Sequence, residues 1–220
     1  MMKYITGLVI LIVVIGGGYY LLQGQKGAEM TPPTDENTPA MGMATSTYAT
    51  STFSIVYPAD YTVDESYVYD QVNPKKPISG VKFTIPMTMA TGTNLASDTY
   101  TAVEWLPNAK SCTGDIYLAA NVKSESLVDA NGVTYSVATS SGAAAGNLYE
   151  EAVYALPGSS PCTAVRYYIH SSDIHNYEPG AVQEFNRAAL VAAFDTIRQS
   201  MTVGPAAPAA PAAMPDTTTP

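Results

Sequence analysis

The chain has 220 residues, of which 46% are hydrophobic and 13% are charged, with 10 basic against 19 acidic side chains. A formal charge of -9 with few, scattered lysines and arginines excludes the basic surface that a nucleic-acid partner requires. The length is that of one folded domain of about 150 residues with additional segments at its ends.

The N-terminal segment predicts a membrane anchor. Residues 5–22, which begin with Ile5 and end with Leu22, carry no charge and would span about 27 Å as a helix. Lys3 before this run favours a cytoplasmic N-terminus. A cleaved signal peptide is the alternative, but no A-x-A site follows the run. We therefore expect residues 1–22 to be a single-pass signal-anchor in the cell membrane.

Two segments of low complexity flank the expected domain. Residues 23–47 are rich in Pro, Thr, Gly and Ala, which is typical of an extended linker. Residues 204–220 repeat Pro and Ala and predict an exposed tail, either a spacer or a ligand for a proline-reading partner. The folded domain is therefore expected at residues 48–203, outside the cytoplasm.

Strands come first in this domain. The alternation of apolar and polar residues and the positions of proline predict them at residues 52–57, 61–69, 80–86 and 99–106. In the last of these strands, Val103 and Trp105 share one face, while Ala102 and Glu104 share the other. The sequence therefore predicts a sheet with two distinct faces.

Two hairpins are predicted next. The predicted pairs are residues 123–129 with 133–139 and residues 149–156 with 163–170. Asn131 and Gly132 join the first pair, because Asn-Gly supplies the positive φ angles of a tight turn. The Ala-rich residues 142–146 fit no single pattern.

A C-terminal amphipathic helix is predicted at residues 183–201. Its apolar stripe consists of Leu190, Phe194, Ile197 and Met201, which recur at steps of three and four. Such a helix needs a sheet to cover. The expected fold class is α+β: an antiparallel sheet of about six or more strands with a C-terminal covering helix.

The two ends of this domain carry motifs of a known family. The first block, FSIVYPADYTV, and the last, AALVAAFDTIRQSMTV, contain Tyr57, Pro58 and Tyr61, then Phe194, Ile197 and Ser200. These blocks resemble the ends of PsbP-like domains, the family of the extrinsic photosystem II protein and its bacterial relatives. The resemblance implies an α/β/α sandwich around an antiparallel sheet.

Two internal blocks show a narrower resemblance. FTIPMTMATGTNL at residues 83–95 and YALPGSSPCTAVRYYIH at residues 154–170 are similar to membrane-anchored proteins of small-genome bacteria that have no assigned function. These motifs are packing patterns of strands and helices. The resemblance therefore implies a fold and implies no catalytic residue, cofactor or photosystem partner.

The two cysteines predict a disulfide bond. Cys112 and Cys162 are the only cysteines, and both lie in turn-like segments of a domain expected outside the cytoplasm. A redox dithiol would use C-x-x-C, and a zinc site would need further cysteines. The disulfide is therefore the expected state.

One cluster has the residue types of a metal site. His170, Asp173, His175 and Glu178 lie within nine residues, and imidazole and carboxylate groups bind divalent transition metals. The alternative is a hydrogen-bonded histidine at a strand end and a solvated histidine in the following loop. The sequence leaves both interpretations open.

The sequence contains no nucleophile elbow, phosphate-binding loop, zinc-protease motif or dinucleotide fingerprint. Its 16 tyrosines, against 4 Phe and 1 Trp, suit either half-buried strand positions or contact area for proteins or sugars. We therefore expect a membrane-tethered, extracytoplasmic, non-catalytic binding module for a protein or cell-envelope partner. Two alternatives remain: a metal-binding protein or metal-dependent enzyme that uses the cluster of residues 170–178, and a structural or adhesive surface protein.

Overall fold

The computed structural model of the protein describes residues 44–119 and 121–204. The predicted anchor at residues 5–22 lies outside the described residues, as do nearly all of the predicted linker and tail. Within the described ranges, no helix is both long enough and apolar enough to cross a membrane.

Residues 44–204, apart from residue 120, form two sheets, and the larger has eight strands in which every neighbouring pair is antiparallel. Its strands are β3 (Thr62–Asp64), β4 (Val68–Tyr69), β5 (Ile78–Thr84), β6 (Tyr100–Leu106), β7 (Glu125–Val128), β8 (Thr134–Ala144), β9 (Asn147–Ala155) and β10 (Cys162–Ser172). The order across the sheet is β3-β5-β6-β10-β9-β8-β7, and β4 also pairs with β5. The predicted antiparallel sheet of six or more strands is confirmed.

A smaller sheet joins the two ends of the domain. It contains β1 (Thr45–Ala49), β2 (Phe53–Pro58) and β11 (Thr202–Val203), with β2 in the centre. The first strand begins within the segment that the sequence assigns to the linker. Side chains reinforce the pairing with β11, since the hydroxyl oxygens of Ser54 and Thr202 lie 2.7 Å apart.

The longest helix among the described residues, α2 (Arg187–Gln199), is shorter than the predicted span of residues 183–201. The other α-helix described there is the single turn α1 (Met87–Ala90). Asn186 caps α2, because its side-chain oxygen accepts a hydrogen bond from the Ala189 N–H at 3.0 Å. Gln183 instead extends along a loop, where its N–H donates to the Gly92 carbonyl at 3.0 Å. The helix therefore starts only after the segment that pairs with the loop at Gly92.

One face of the large sheet packs against α2. Leu190, Phe194 and Ile197 of the predicted stripe are buried there, whereas Met201 is half-buried beyond the helix. The sheet and the strand β2 contribute the rest of this core, chiefly Phe53, Ile55, Val81, Phe83, Val103, Val165, Tyr167 and Ile169. The helix therefore covers the sheet as the sequence predicts.

The opposite face has a different cover. The segment 107–118 lies on it, and its regular structure is the 3-10 helix Gly114–Tyr117. At Gly114 the segment touches the sheet, since an added Cβ would stand 2.7 Å from the Ala138 nitrogen. The predicted disulfide between Cys112 and Cys162 is confirmed, and it ties this segment to the start of β10.

Two local predictions needed correction. The strand predicted at residues 61–69 is divided into β3 and β4, because Asp64 Oδ1 accepts hydrogen bonds from the Ser66 N–H and hydroxyl at 3.0 and 2.7 Å. The predicted hairpin β7–β8 is present, but among its turn residues only Gly132 has a positive φ, of 79°.

The turn with two positive φ angles is elsewhere. Ala145 and Gly146, with φ of 50° and 79°, connect β8 directly to β9. Such a turn matches the twist of the two strands it joins. The Ala-rich residues 142–146, for which the sequence gave no single prediction, are therefore the end of a long hairpin.

Candidate functional site

The face opposite α2 contains a cleft of about 870 Å³ lined by five tyrosines. We call it the tyrosine cleft; its tyrosines are Tyr67, Tyr69, Tyr100, Tyr149 and Tyr168. The polar residues around it include Asp70, Gln71, Lys82, Asp98 and Glu151. It is larger than the cavities of about 410 and 610 Å³ that border α2.

A buried arginine lies beneath the residues that line the cleft, and with its partners it forms what we call the floor. Arg166, which is fully buried, donates from Nε to Glu104 Oε1 at 2.6 Å and from Nη2 to Glu104 Oε2 at 3.0 Å. It also donates to Glu151 and to the Tyr117 carbonyl. Four of the five guanidinium protons thus have acceptors, and two carboxylates face one cation.

This buried group is stable only as a unit. Burial alone would lower the pKa of Arg166, but Glu104 and Glu151 raise it well above its ordinary value. The Tyr69 ring adds a contact, with its centroid 3.6 Å from the guanidinium carbon. Removing one partner would leave an uncompensated charge in the protein interior. The floor therefore keeps one geometry.

Three of the cleft tyrosines are fixed by this floor. Tyr67 donates from its hydroxyl to Glu104 Oε1 at 2.9 Å, and the Tyr100 hydroxyl lies 3.0 Å from that of Tyr67. Tyr69 donates to Glu151 Oε2 at 2.8 Å. Burial raises the pKa of all three phenols above the ordinary value of 10.0. These rings are therefore held in place without a ligand.

The other two tyrosines are different. Among the described residues, no hydrogen-bond partner meets the hydroxyl of Tyr149 or Tyr168, and both side chains are half-buried at the cleft wall. The Tyr168 ring stacks on Tyr100 with centroids 4.9 Å apart, and Tyr149 lies 6.3 Å away on its other side. Their hydroxyls are therefore free to bind a molecule in the cleft.

The charge around these two tyrosines is negative. Burial, together with the nearby Asp98, Tyr149 and Glu151, raises the pKa of Tyr168 to about 12. The one lysine of the cleft, Lys82, lies at the other end, where its Nζ is 3.3 Å from Asp64 Oδ2. The wall formed by Tyr149 and Tyr168 thus has acidic neighbours.

His170, one of the predicted metal-binding residues, lies beside the cleft. Its Nδ1 is 2.7 Å from Asp98 Oδ1, its Nε2 is 3.2 Å from Asn147 Oδ1, and its ring stacks on Tyr149 at 4.6 Å. The structure thus pairs His170 with an aspartate from outside the predicted cluster.

The rest of the predicted metal cluster is in the loop that follows β10. His175 Nδ1 is 2.8 Å from Asp173 Oδ1, and Glu178 is exposed further along the loop. The Asp173 carboxylate also accepts the His175 N–H at the start of a 3-10 turn, and these bonds lower its pKa. Across the described ranges, no three His, Cys, Asp or Glu side chains are grouped as metal ligands. The metal site stays a prediction.

Sequence reasoning missed most of the cleft. Glu104 on β6 and Arg166 on β10 are diagonal neighbours, since Glu104 pairs opposite Ala164 and Arg166 opposite Ala102, and Glu151 comes from the neighbouring strand β9. The signal available in the sequence was the high number of tyrosines and the alternation that places Arg166, Tyr168 and His170 on one strand face. The sequence alone does not give the pairing register, which brings these residues next to those of the other strands.

No family model and no curated protein matches the chain, so the geometry of the cleft is the basis for proposing a function.

Proposed function

We propose that the protein is a membrane-tethered, extracytoplasmic, non-catalytic binding module, and that the tyrosine cleft is its ligand-binding surface. The observation that carries the proposal is the contrast within the cleft between three tyrosines with engaged hydroxyls and two with free ones. Binding sites commonly combine a preformed aromatic wall with a few polar groups that are free to contact the ligand.

The buried floor supports this proposal. A cleft whose walls are already ordered loses little conformational entropy when a ligand binds. Arg166 and Glu104 provide that order, because both are fully buried and hold Tyr67 and Tyr69 directly or through Glu151. Tyrosine also offers a large, rigid contact surface with a polar end, which suits protein or cell-envelope partners.

The membrane tether rests on the sequence. The uncharged residues 5–22, the Pro- and Thr-rich linker and the disulfide together suit a domain displayed outside the cytoplasm. Protease added to intact cells should therefore degrade the domain after the disulfide is reduced. Protection that lasts until the cells are lysed would contradict this location.

We also propose that the domain is PsbP-like. The two terminal motifs that suggest it are in contact, since the Ser200 hydroxyl accepts the Val56 N–H at 2.9 Å and donates to the Val56 carbonyl at 3.1 Å. Because the two motifs contact each other in the folded domain, they support a family resemblance better than two separate sequence matches would. An experimental structure with a different strand order from PsbP-like domains would remove this part of the proposal.

Site-specific photo-crosslinking tests the binding surface. A photoreactive phenylalanine analogue replaces Tyr168 in the cleft or, as a control, Tyr177, which is 37% exposed in a loop outside it. In cells that make the full chain, position 168 should give a discrete crosslinked product and position 177 should not. Equal products from both positions, or none from position 168, would contradict the proposal.

A further inference from the structure

We infer that the tyrosine cleft takes an organic cation, an alkylammonium or guanidinium group, at the wall formed by Tyr149 and Tyr168. This inference rests on the proposed function and specifies the ligand chemistry of the same cleft. Its first support is the charge of the site: Asp70, Asp98, Glu104 and Glu151 surround or underlie the cleft, against the two cations Lys82 and Arg166.

The second support is a cation that the protein itself places in the cleft. Lys82 Nζ lies 5.5 Å from the centroid of the Tyr67 ring and 5.7 Å from that of Tyr100. Both distances are within the range of a cation–π interaction. One end of the cleft therefore already holds an ammonium group between aromatic rings and the Asp64 carboxylate.

The third support is that, among the described residues, no lysine or arginine bonds to Tyr149, Tyr168 or Asp98 at the other end. Tyr149 and Tyr168 offer phenol oxygens, and the carboxylates of Asp98 and Glu151 act on Tyr168 strongly enough to help raise its pKa. An ammonium group has three N–H donors and no acceptor, so it can donate to the two phenol oxygens and to the Asp98 carboxylate. A neutral sugar would meet the hydroxyls but would leave the negative charge uncompensated.

The test measures binding to the full chain in detergent micelles by isothermal titration calorimetry. The probe is lysine blocked at its α-amino and carboxyl groups, which carries one charge, on the side chain. Blocked norleucine has nearly the same shape without that charge. We expect the lysine probe to bind about tenfold more tightly, and less tightly as salt is added.

Two matched pairs of variants locate the site. Asp98 and Asp173 each contact a histidine Nδ1, at 2.7 and 2.8 Å, but only Asp98 lines the cleft. Asp98→Asn should weaken binding of the lysine probe about threefold, and Asp173→Asn should not change it. In the same way, Tyr168→Leu should weaken binding about threefold to tenfold, while Tyr177→Leu should have no effect.

A further arm distinguishes the sources of the cation. If butylammonium binds as tightly as blocked lysine, the ligand is a free amine; if blocked lysine binds more tightly, the ligand is a side chain of a basic peptide. Both results support the inference. Equal binding of blocked lysine and blocked norleucine would overturn it, as would unchanged affinity in both Asp98→Asn and Tyr168→Leu.

The failure of this inference can be told apart from the failure of the proposed function. A neutral saccharide such as maltose that binds the full chain and is lost in Tyr168→Leu would overturn the cation and keep the cleft as a binding surface. The absence of any crosslink from position 168 would instead remove the cleft as the binding surface, and the cation with it.

Discussion

The two faces of the large sheet are buried by different means. On the helix face, apolar side chains such as Phe83, Val103 and Phe194 pack together, and the contact is largely non-directional. On the cleft face, charged and hydroxyl groups bond to one another around Arg166. Apolar packing tolerates changes of shape, whereas a buried charge network requires each partner in its place. The cleft face therefore has a fixed surface geometry but tolerates substitution less well than the helix face.

Each face nevertheless has one buried arginine. Arg198 on the helix face donates to Asp129 at 3.4 Å and to Asp195 at 3.1 Å, and its guanidinium carbon lies 4.5 Å from the centroid of the Tyr154 ring. Asp195 is half-exposed, so water shares its charge. Arg166 instead meets the fully buried Glu104. Each arginine thus has one buried and one more exposed carboxylate partner, and the exposed partner is more accessible to water on the helix face, at 34% for Asp195 against 16% for Glu151.

Alkaline pH is expected to have the largest effect, because both faces bury phenols. Burial raises the pKa of Tyr67, Tyr100 and Tyr167 above the ordinary value of 10.0. The unfolded chain loses these protons at lower pH than the folded protein, so the stability is complete below about pH 10 and falls above it. One such group lowers the free energy of unfolding by about 1.4 kcal/mol per pH unit. Phenolate absorbance should rise together with loss of the circular dichroism signal; gradual ionisation in a folded protein would contradict this.

Arg166→Met is the substitution that most directly breaks the cleft face. It leaves Glu104 buried without its cation and should lower the free energy of unfolding by about 3–5 kcal/mol, measured by urea denaturation. Further replacement of Glu104 and Glu151 by leucine should recover much of this loss, because no unpaired charge remains. If Arg166→Met alone were as stable as the natural protein, the network would not be what fixes this face.

Removal of the disulfide tests the cover of the same face. The bond between Cys112 and Cys162 closes a loop across 50 positions and holds the segment that lies over the sheet. Replacing both cysteines by serine should cost about 2–4 kcal/mol. Addition of a reductant to the natural protein should lower its melting temperature to about that of the double variant. The melting temperature of the double variant itself should not change. An unaffected melting temperature in the natural protein would show that noncovalent packing holds the segment.

The smallest effect is expected from a conservative change on the helix face. Phe194→Leu keeps an apolar side chain in the core and should cost about 1–1.5 kcal/mol. Arg166→Lys is the corresponding conservative change on the cleft face. It should cost more, because lysine lacks the planar fork that bonds both oxygens of Glu104. Equal losses in urea denaturation would mean that the two faces do not differ in tolerance.

The fold was more predictable from sequence than the site. The stripe of Leu190, Phe194 and Ile197 has a period that only a helix on an apolar surface satisfies, so the covering helix followed directly. The disulfide followed from a count of two cysteines. The hairpin turn at Ala145 and Gly146 was not predictable, because alanine rarely adopts a positive φ and tertiary pairing of β8 with β9 imposes it.

The cleft depended on information that is not local. Glu104 was assigned correctly to the face opposite Val103, but a glutamate in that pattern is normally exposed, and here strand pairing places Arg166 next to it. Asp98 likewise meets His170 only because β6 and β10 are neighbours. The sequence shows which functional group stands at each position, whereas the strand register determines which of these groups come into contact.

The small sheet gives the domain a defined response to mechanical tension. Thr45 of β1 pairs opposite Pro58, and Val203 of β11 pairs opposite Phe53, so the described chain enters and leaves at opposite ends of β2. A force that pulls these ends apart acts along the strands and loads their hydrogen bonds in shear. Since β11 has two paired residues and β1 has five, β11 would slip first and expose the end of α2 to the pull. The domain would then lengthen from its C-terminal side while β1 stays paired with β2.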